Sequence, residues 1–392
     1  MNWGFEMSIS DNYFKDYIIS DLRDKSKSHS FTGGPFGSDL KQSDYTEQGV
    51  RIIQLQNIGD GSFIDKYRIY TSEKKADELI SCNIYPGEII ISKMADPIGR
   101  ACIIPDSEVR YLMSSDGIRL SVDESKFNTE YIVNLVNFSQ TRRKIERLGT
   151  GSTRLRIGLR DLARIPVRIP KLQIQNKISN IISTWDNAIS YKKDYIDELE
   201  KLYEAFLVEH FVYDKHTFNA RIGEIIKEVR NTQHLSSEGK RDGKYPFFTN
   251  STEAVNRFTD YYDFDGKYII ANTGGKAYFD YYEGKFSAMS DCYVFTTKRA
   301  NVKYLYYLLK KNQKYIDYIG FSGSGLNHLD KKWFRKFRLN LPEQNIQDAV
   351  VKYLDSIRDT ILLLDQEISE LSKLKSGLMQ QLFTGNIKIQ TS

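Results

Sequence analysis

The sequence predicts a mixed α/β (α+β) protein built as an internal repeat: two similar globular domains joined by two long antiparallel coiled-coil helices, related by a pseudo-twofold. Three observations carry this. IPKLQIQ (169–175) and LPEQNIQ (341–347) say nearly the same thing 172 residues apart. Each opens about forty residues whose apolar positions step by three and four. The charge alternates with the repeat, a basic block standing before each of the two acidic helices.

The repeat extends beyond these words. Without a gap, Gly151 and Ser152 fall on Gly323 and Ser324, Pro170 on Pro342, Ile174 and Gln175 on Ile346 and Gln347, and Ile189 on Ile361. Further along, Ile196, Glu198, Leu199, Lys201, Leu202 and Phe211 fall on Ile368, Glu370, Leu371, Lys373, Leu374 and Phe383. Upstream the match is weaker: GEIIISKM (87–94) echoes GKYIIANT (266–273), and SSDGIRLSV (114–122) echoes MSDCYVFTT (289–297). The two globular parts are therefore expected to share a fold and to differ on their surfaces. Short runs such as VRIIQLQNI, EIIISK and KYIIAN, bounded by Gly, Pro, Asp or Asn, read as strands.

In the first helix the expected seam runs through Ile174, Ile178, Trp185, Leu199, Leu202 and Phe206. In the second it runs through Ile346, Val350, Tyr353, Ile361, Ile368, Leu371, Leu374 and Leu378. That spacing is a narrow helical stripe near the coiled-coil period. Neither segment has an interior proline, and Gly385 stops the second. A helix of forty residues spans roughly 60 Å. One apolar seam of that length needs a partner, and the other copy is the economical one, with the domains at opposite ends of the rod. The expected boundaries are a first domain at 1–170, a helix at 171–213, a second domain at 214–341 and a helix at 342–385.

Composition excludes several classes. With 392 residues, 40% apolar and 27% charged, the chain is a globular protein of more than one domain. No apolar run approaches the roughly 20 residues of a membrane span, and Glu6 and Asp11 stand where a signal peptide would be basic. The expected location is the cytoplasm. Cys82, Cys102 and Cys292 are too scattered for a disulfide framework or a zinc site. The five histidines show no metal spacing, and there is no GxSxG elbow or methyltransferase Asn-Pro-Pro-Tyr motif. No metal site is expected. TGGK (273–276) and GTGSTRLRIG (149–158) lack phosphate-loop spacing.

A net charge of +5 is a weak hint of nucleic acid, but its placement is informative. Residues 141–170 carry nine basic and two acidic side chains, and 298–340 carry eleven and two. The helices are acidic, with five basic against seven acidic residues at 171–212 and four against seven at 343–384. Lys and Arg on phosphates dominate duplex binding. The candidates are Arg142, Arg143, Lys144, Arg147, Arg154 and Arg156 in the first half and Lys331, Lys332, Arg335 and Lys336 in the second. The loop TGGPFGSDLK (32–41) adds Gly34, Phe36 and Ser38, where glycines let a backbone approach a ligand closely.

GPFGSDLKQSDYTEQGVRIIQLQNI (34–58), the repeated Pro-x-x-x-Ile-Gln helix starts and LKSGLMQQLFTG (374–385) resemble the specificity (S) subunits of type I restriction-modification systems. The resemblance covers the whole chain. It implies two target-recognition domains, each reading one part of a split DNA site, spaced by the helix pair. It also implies two methyltransferase (M) subunits and two restriction (R) subunits as partners on double-stranded DNA. S-adenosylmethionine and ATP with Mg²⁺ are then expected on those partners, with no cofactor bound by this chain and no catalysis of its own. The first helix departs from the pattern, ending in EAFLVEHF (204–211) rather than a GLMQQLF-like run, which bears on whether the two M contacts are equivalent. The rivals are a stand-alone DNA-binding nuclease or methyltransferase, because carboxylates are plentiful, and a coiled-coil adaptor or transcriptional regulator.

Overall fold

The computed structural model describes residues 13–389 except 95–96, 152–153, 212–217, 230–231, 254 and 324. Ser152 and Ser324 of the repeat, Glu6 and Asp11, and the 213/214 boundary lie outside these residues. The chain divides into two compact units, Met1–Ser190 with Ser369–Ser392, and Tyr191–Ile368. Both long helices, Leu172–His210 and Gln344–Thr384, begin in one unit and end in the other.

Unit 1 holds a four-stranded antiparallel sheet in the order Phe31–Gly33, Gly117–Leu120, Ile89–Ser92, Ala101–Ile103. Ile89 and Ile91 face one core, with the helix Thr129–Asn137, whereas Ile90 faces a second core with Ile53 and Ile84. Burial on both faces explains a strand that reads as an unbroken apolar run. The second core is shared with a five-stranded sheet in which Val50–Ile53 runs parallel to Tyr111–Met113.

Unit 2 repeats the frame. Ile226–Glu228, Cys292–Thr297, Phe264–Asn272 and Phe279–Ala288 are ordered and paired like the four strands of unit 1. Tyr245–Phe248 then adds one parallel pairing to the last of them. Ser92 stands opposite Gly117 and Asn272 opposite Cys292. The GEIIISKM alignment is therefore one residue out: Lys93 corresponds to Thr273, and Ile90 to Ile270 rather than Ile269. Ile89 and Ile269 face the core that includes long-helix residues, Ile90 and Ile270 the core on the other face of the sheet. A slip of one exchanges the faces of a strand. Because both faces are apolar here, the sequence carried no mark of the error.

The repeated Pro-x-x-x-Ile-Gln is a clasp. The Gln175 amide donates to the Pro170 carbonyl at 2.8 Å, and its Oε1 accepts the backbone N–H of Asn128 at 2.8 Å. Asn128 caps the helix Thr129–Asn137 by accepting from the Tyr131 N–H. Gln347 makes the same two bonds, to Pro342 at 2.7 Å and from Asn301 at 2.8 Å, and Asn301 caps Val302–Lys311. Both glutamines are almost wholly buried. Each thus ties the end of the globular part, the start of a long helix and the cap of a short one.

Within each unit the long helices run antiparallel. In unit 1 Asp186 pairs with Lys375, and Ile178 and Ile182 lie in one cluster with Leu378 and Leu382. In unit 2 Lys192 pairs with Glu367 at 2.6 Å, Leu199 packs with Ile357, Ile361 and Leu364, and Phe206 stacks near Tyr353. Ile174, Ile178 and Val350 join the globular cores. Trp185, Ile368 and Leu371 are half-buried.

Three expected seam residues are corrected. Leu202 (45% exposed), Ile346 (47%) and Leu374 (59%) lie outside the packed face. The packed row advances by i+4 at these points, through buried Leu199, half-buried Tyr203 and buried Leu207 in the first helix. In the second, Gln347 turns inward in place of Ile346, and Lys375 reaches Asp186 where Leu374 was expected to pack. Val351 and Leu354, which the stripe omitted in favour of Tyr353, are buried. A straight helix drifts against a 3.5-residue repeat, so a stripe read at fixed steps slides off the true face.

Candidate nucleic-acid interface

At one end of the four-stranded sheet of unit 1, three loops close around the turn Ser114–Gly117. The Gly34 N–H donates to the Gly117 carbonyl at 2.9 Å. A Cβ on Gly34 would fall 1.8 Å from the Ser114 carbonyl oxygen, so only glycine permits this approach. Lys93 Nζ donates to the Ser115 carbonyl at 2.9 Å. The Ile157 N–H donates to the Lys93 carbonyl at 2.8 Å, bringing in residues 154–157, and Arg156 Nη2 meets Asp116 Oδ1 at 2.8 Å. Burial lowers the Lys93 pKa, the charge of Arg156 adds to this, and Asp116 opposes it. Two cations thus stand beside the glycine loop, Arg156 paired with the Asp116 carboxylate and Lys93 held by the Ser115 carbonyl.

Unit 2 keeps the backbone and changes the side chains. The Leu329 N–H donates to the Thr273 carbonyl at 2.9 Å, as Ile157 does to Lys93. Gly274 bridges His328 as Met94 bridges Arg156. Gly151 and Gly323, identical in the repeat, have one cause: a Cβ on either would fall 2.4 Å from the carbonyl oxygen three residues on. The Asp116 position is Asp291, whose carbonyl accepts from Thr273 Oγ1 at 2.6 Å. So Lys93, Asp116 and Arg156 in one unit stand where Thr273, Asp291 and His328 stand in the other.

Known proteins match this frame. The family model for the type I restriction modification DNA specificity domain matches residues 44–201 and again 218–373, one match per repeat. The chain belongs to this family. Its curated relatives include a putative type I restriction enzyme MjaX specificity subunit of Methanocaldococcus jannaschii, 22% identical over 88% of each chain. Another is the MjaVIII specificity subunit of the same organism, 27% identical over 43% of this chain and 42% of that one. A solved S subunit from M. genitalium superposes with a TM-score of 0.60 at 16% identity, covering 99% of this chain and all of that one, which shows a shared fold. The protein is a type I restriction-modification specificity subunit, a DNA-recognition protein with two target-recognition domains.

Other expected DNA-binding residues of the specificity subunit are placed unevenly. Arg142 turns inward: it is 7% exposed, with Nη2 bonded to Asp60 and Asn137 at 2.8 and 2.7 Å, which corrects its assignment to a phosphate contact. Arg143 and Arg147 are exposed on the same helix, Ser139–Leu148, and exposed Lys144 reaches the Pro166 carbonyl at 2.7 Å. Arg154 is exposed on the loop that carries Arg156, Phe36 is 82% exposed at the glycine loop's tip, and Ser38 is exposed beside it. In unit 2, Lys331, Lys332, Arg335 and Lys336 form the helix Lys331–Lys336. Lys331 lies over the Tyr293 ring, Arg335 pairs with Glu228 at 3.1 Å while staying exposed, and Lys332 and Lys336 are exposed as well. The repeat sets this helix opposite Leu159–Ala163, not opposite the arginines 142–147. The candidate cations of the two halves therefore sit on helices that are not equivalent in the repeat. Lys93 follows a strand whose alignment on the second repeat is one residue out in the sequence, which sets it against Asn272 instead of Thr273. On the long helices, exposed Leu362, Leu363 and Leu374 lie outside the packed row. Among the described residues no helix is long and apolar enough to cross a membrane.

Proposed function

We propose that each unit reads one part of an asymmetric, bipartite duplex site, and that the long helices set the gap and receive methyltransferase subunits. One observation supports this above the rest: the two units share a loop frame but differ in the side chains mounted on it. A shared frame with Arg156 in one copy and His328 in the other addresses the same groove geometry and different bases. The acidic helices, unsuited to a polyanion, suit a protein partner, and their exposed leucines are the docking candidates. Two methyltransferase and two restriction subunits complete the assembly, in the cytoplasm, with S-adenosylmethionine and ATP with Mg²⁺ bound by them. This chain supplies recognition and scaffold, not chemistry.

The test is reconstitution. The chain is purified alone and with the methyltransferase encoded beside it, recognisable by its Asn-Pro-Pro-Tyr or Asn-Pro-Pro-Phe motif, and incubated with duplex DNA and S-adenosylmethionine. Adenine methylation that needs both proteins and maps to a bipartite site is the expected result. Methylation or cleavage by this chain alone would favour a stand-alone enzyme instead.

A further inference from the structure

We propose that Arg156, held by Asp116 beside Lys93, reads a guanine in the DNA part addressed by unit 1, and that His328 and Thr273 withhold that preference from unit 2. This rests on the DNA-reading function proposed above and adds to it which side chain specifies which base. Arg156 is fixed without being hidden: its side chain is 54% exposed, while one corner of the guanidinium bonds Asp116 at 2.8 Å. Its backbone is fixed too, exchanging both hydrogen bonds with Thr150, at 2.8 and 2.9 Å. A guanidinium held at one corner presents its remaining donors in a defined plane. Only guanine offers two adjacent acceptors, N7 and O6, on its major-groove edge, whereas adenine sets an amino donor beside N7. Lys93, packed against Gly33 and bonded to the Ser115 carbonyl, adds a second donor-bearing cation and so disfavours an amino group further.

Unit 2 lacks this arrangement. The aspartate is kept, as Asp116 and Asp291, but the groups around it are not. At the position of Arg156, His328 offers an imidazole with neither a fork nor an obligatory charge. At that of Lys93, Thr273 spends its hydroxyl on the Asp291 carbonyl. The pair of cationic donors that unit 1 sets beside its aspartate is absent at the same place in unit 2.

The experiment assembles the wild-type chain, Arg156→Ala, Arg156→Lys and His328→Ala with the methyltransferase subunit and reads methylation across a randomised duplex library. Both Arg156 variants are expected to lose discrimination at one guanine of the unit 1 part, by about fivefold or more, with the unit 2 part unchanged. Arg156→Lys retains the charge and loses the fork, so it relaxes that position even if the alanine variant assembles poorly. His328→Ala is expected to leave the unit 1 part intact. A uniform fall in methylation with unchanged sequence preference, and a salt dependence shallower by about one phosphate, would make Arg156 a backbone-binding residue and overturn the proposal. Altered preference in the unit 2 part would overturn it as well. Failure of the wild-type assembly to select any bipartite site would instead count against the function on which it rests.

Discussion

Gln175 accepts the backbone N–H of Asn128 at 2.8 Å, and Gln347 accepts that of Asn301 at the same distance. Two copies of one bond to a buried glutamine are the physical content of the repeated Pro-x-x-x-Ile-Gln. Gln175→Leu leaves the half-buried backbone N–H of the cap residue Asn128 without this partner, a loss of about 1–3 kcal/mol. A lowered unfolding midpoint in thermal melts, with Gln347→Leu behaving alike, is the expected outcome. Wild-type melting of both variants would make the clasp incidental.

Glu88 and Arg119 form a buried pair at 2.6 Å, with side chains 8% and 6% exposed, and Arg119 also donates to the Asn83 carbonyl. Glu88→Ala strands a buried cation and is expected to cost about 3–5 kcal/mol. Denaturant titration of the two chains measures this directly.

Leu354 is fully buried, whereas Leu363 is 56% exposed on the same helix. Leu354→Ala should destabilise by about 2–5 kcal/mol, and Leu363→Ala by less than about 0.5 kcal/mol. If the exposed leucines receive the methyltransferase, Leu363→Ala weakens co-purification with that subunit at unchanged melting temperature.

His234 lies between two carboxylates, with Nδ1 2.9 Å from Glu238 and Nε2 3.2 Å from Asp263. Burial lowers its pKa, but Asp263 and Glu238 outweigh that, so the net shift is upward. A raised folded-state value means that the stabilisation is complete below the unfolded value near 6.5 and fades as pH rises through the folded one. The melting-temperature gap between wild type and His234→Gln should therefore be wider at pH 6 than at pH 9. An equal gap at both values would show that the charged imidazole does not contribute.

Arg142 and Arg143 are adjacent in sequence and opposite in role. Arg142→Ala removes a buried partner of Asp60 and should lower the melting temperature. Replacing exposed Arg143 and Arg147 together should leave it unchanged while making DNA affinity less salt-dependent, by about 0.9 in log–log slope for each phosphate no longer neutralised.

The sequence made the repeat, the mixed fold and the two helices legible because each rests on identity or periodicity over many residues. What it hid depends on single-residue placement. Strand Ile89–Ser92 is apolar on both faces, so its register against Phe264–Asn272 could not be read, and Lys93 was set against Asn272 instead of Thr273. Arg142 reads like its neighbours in a basic run, and only the fold shows that Asp60, far away in sequence, draws it inward. Leu202, Ile346 and Leu374 fit a fixed-step stripe that a straight helix does not follow.

The central claim is that recognition is divided between the two units. It is tested most directly by exchanging residues 1–150 for those of a relative, assembling the chimera with its methyltransferase and mapping methylated adenines across the host genome. The account predicts that one part of the bipartite site changes while the other part and the gap remain. A change in both parts would contradict it.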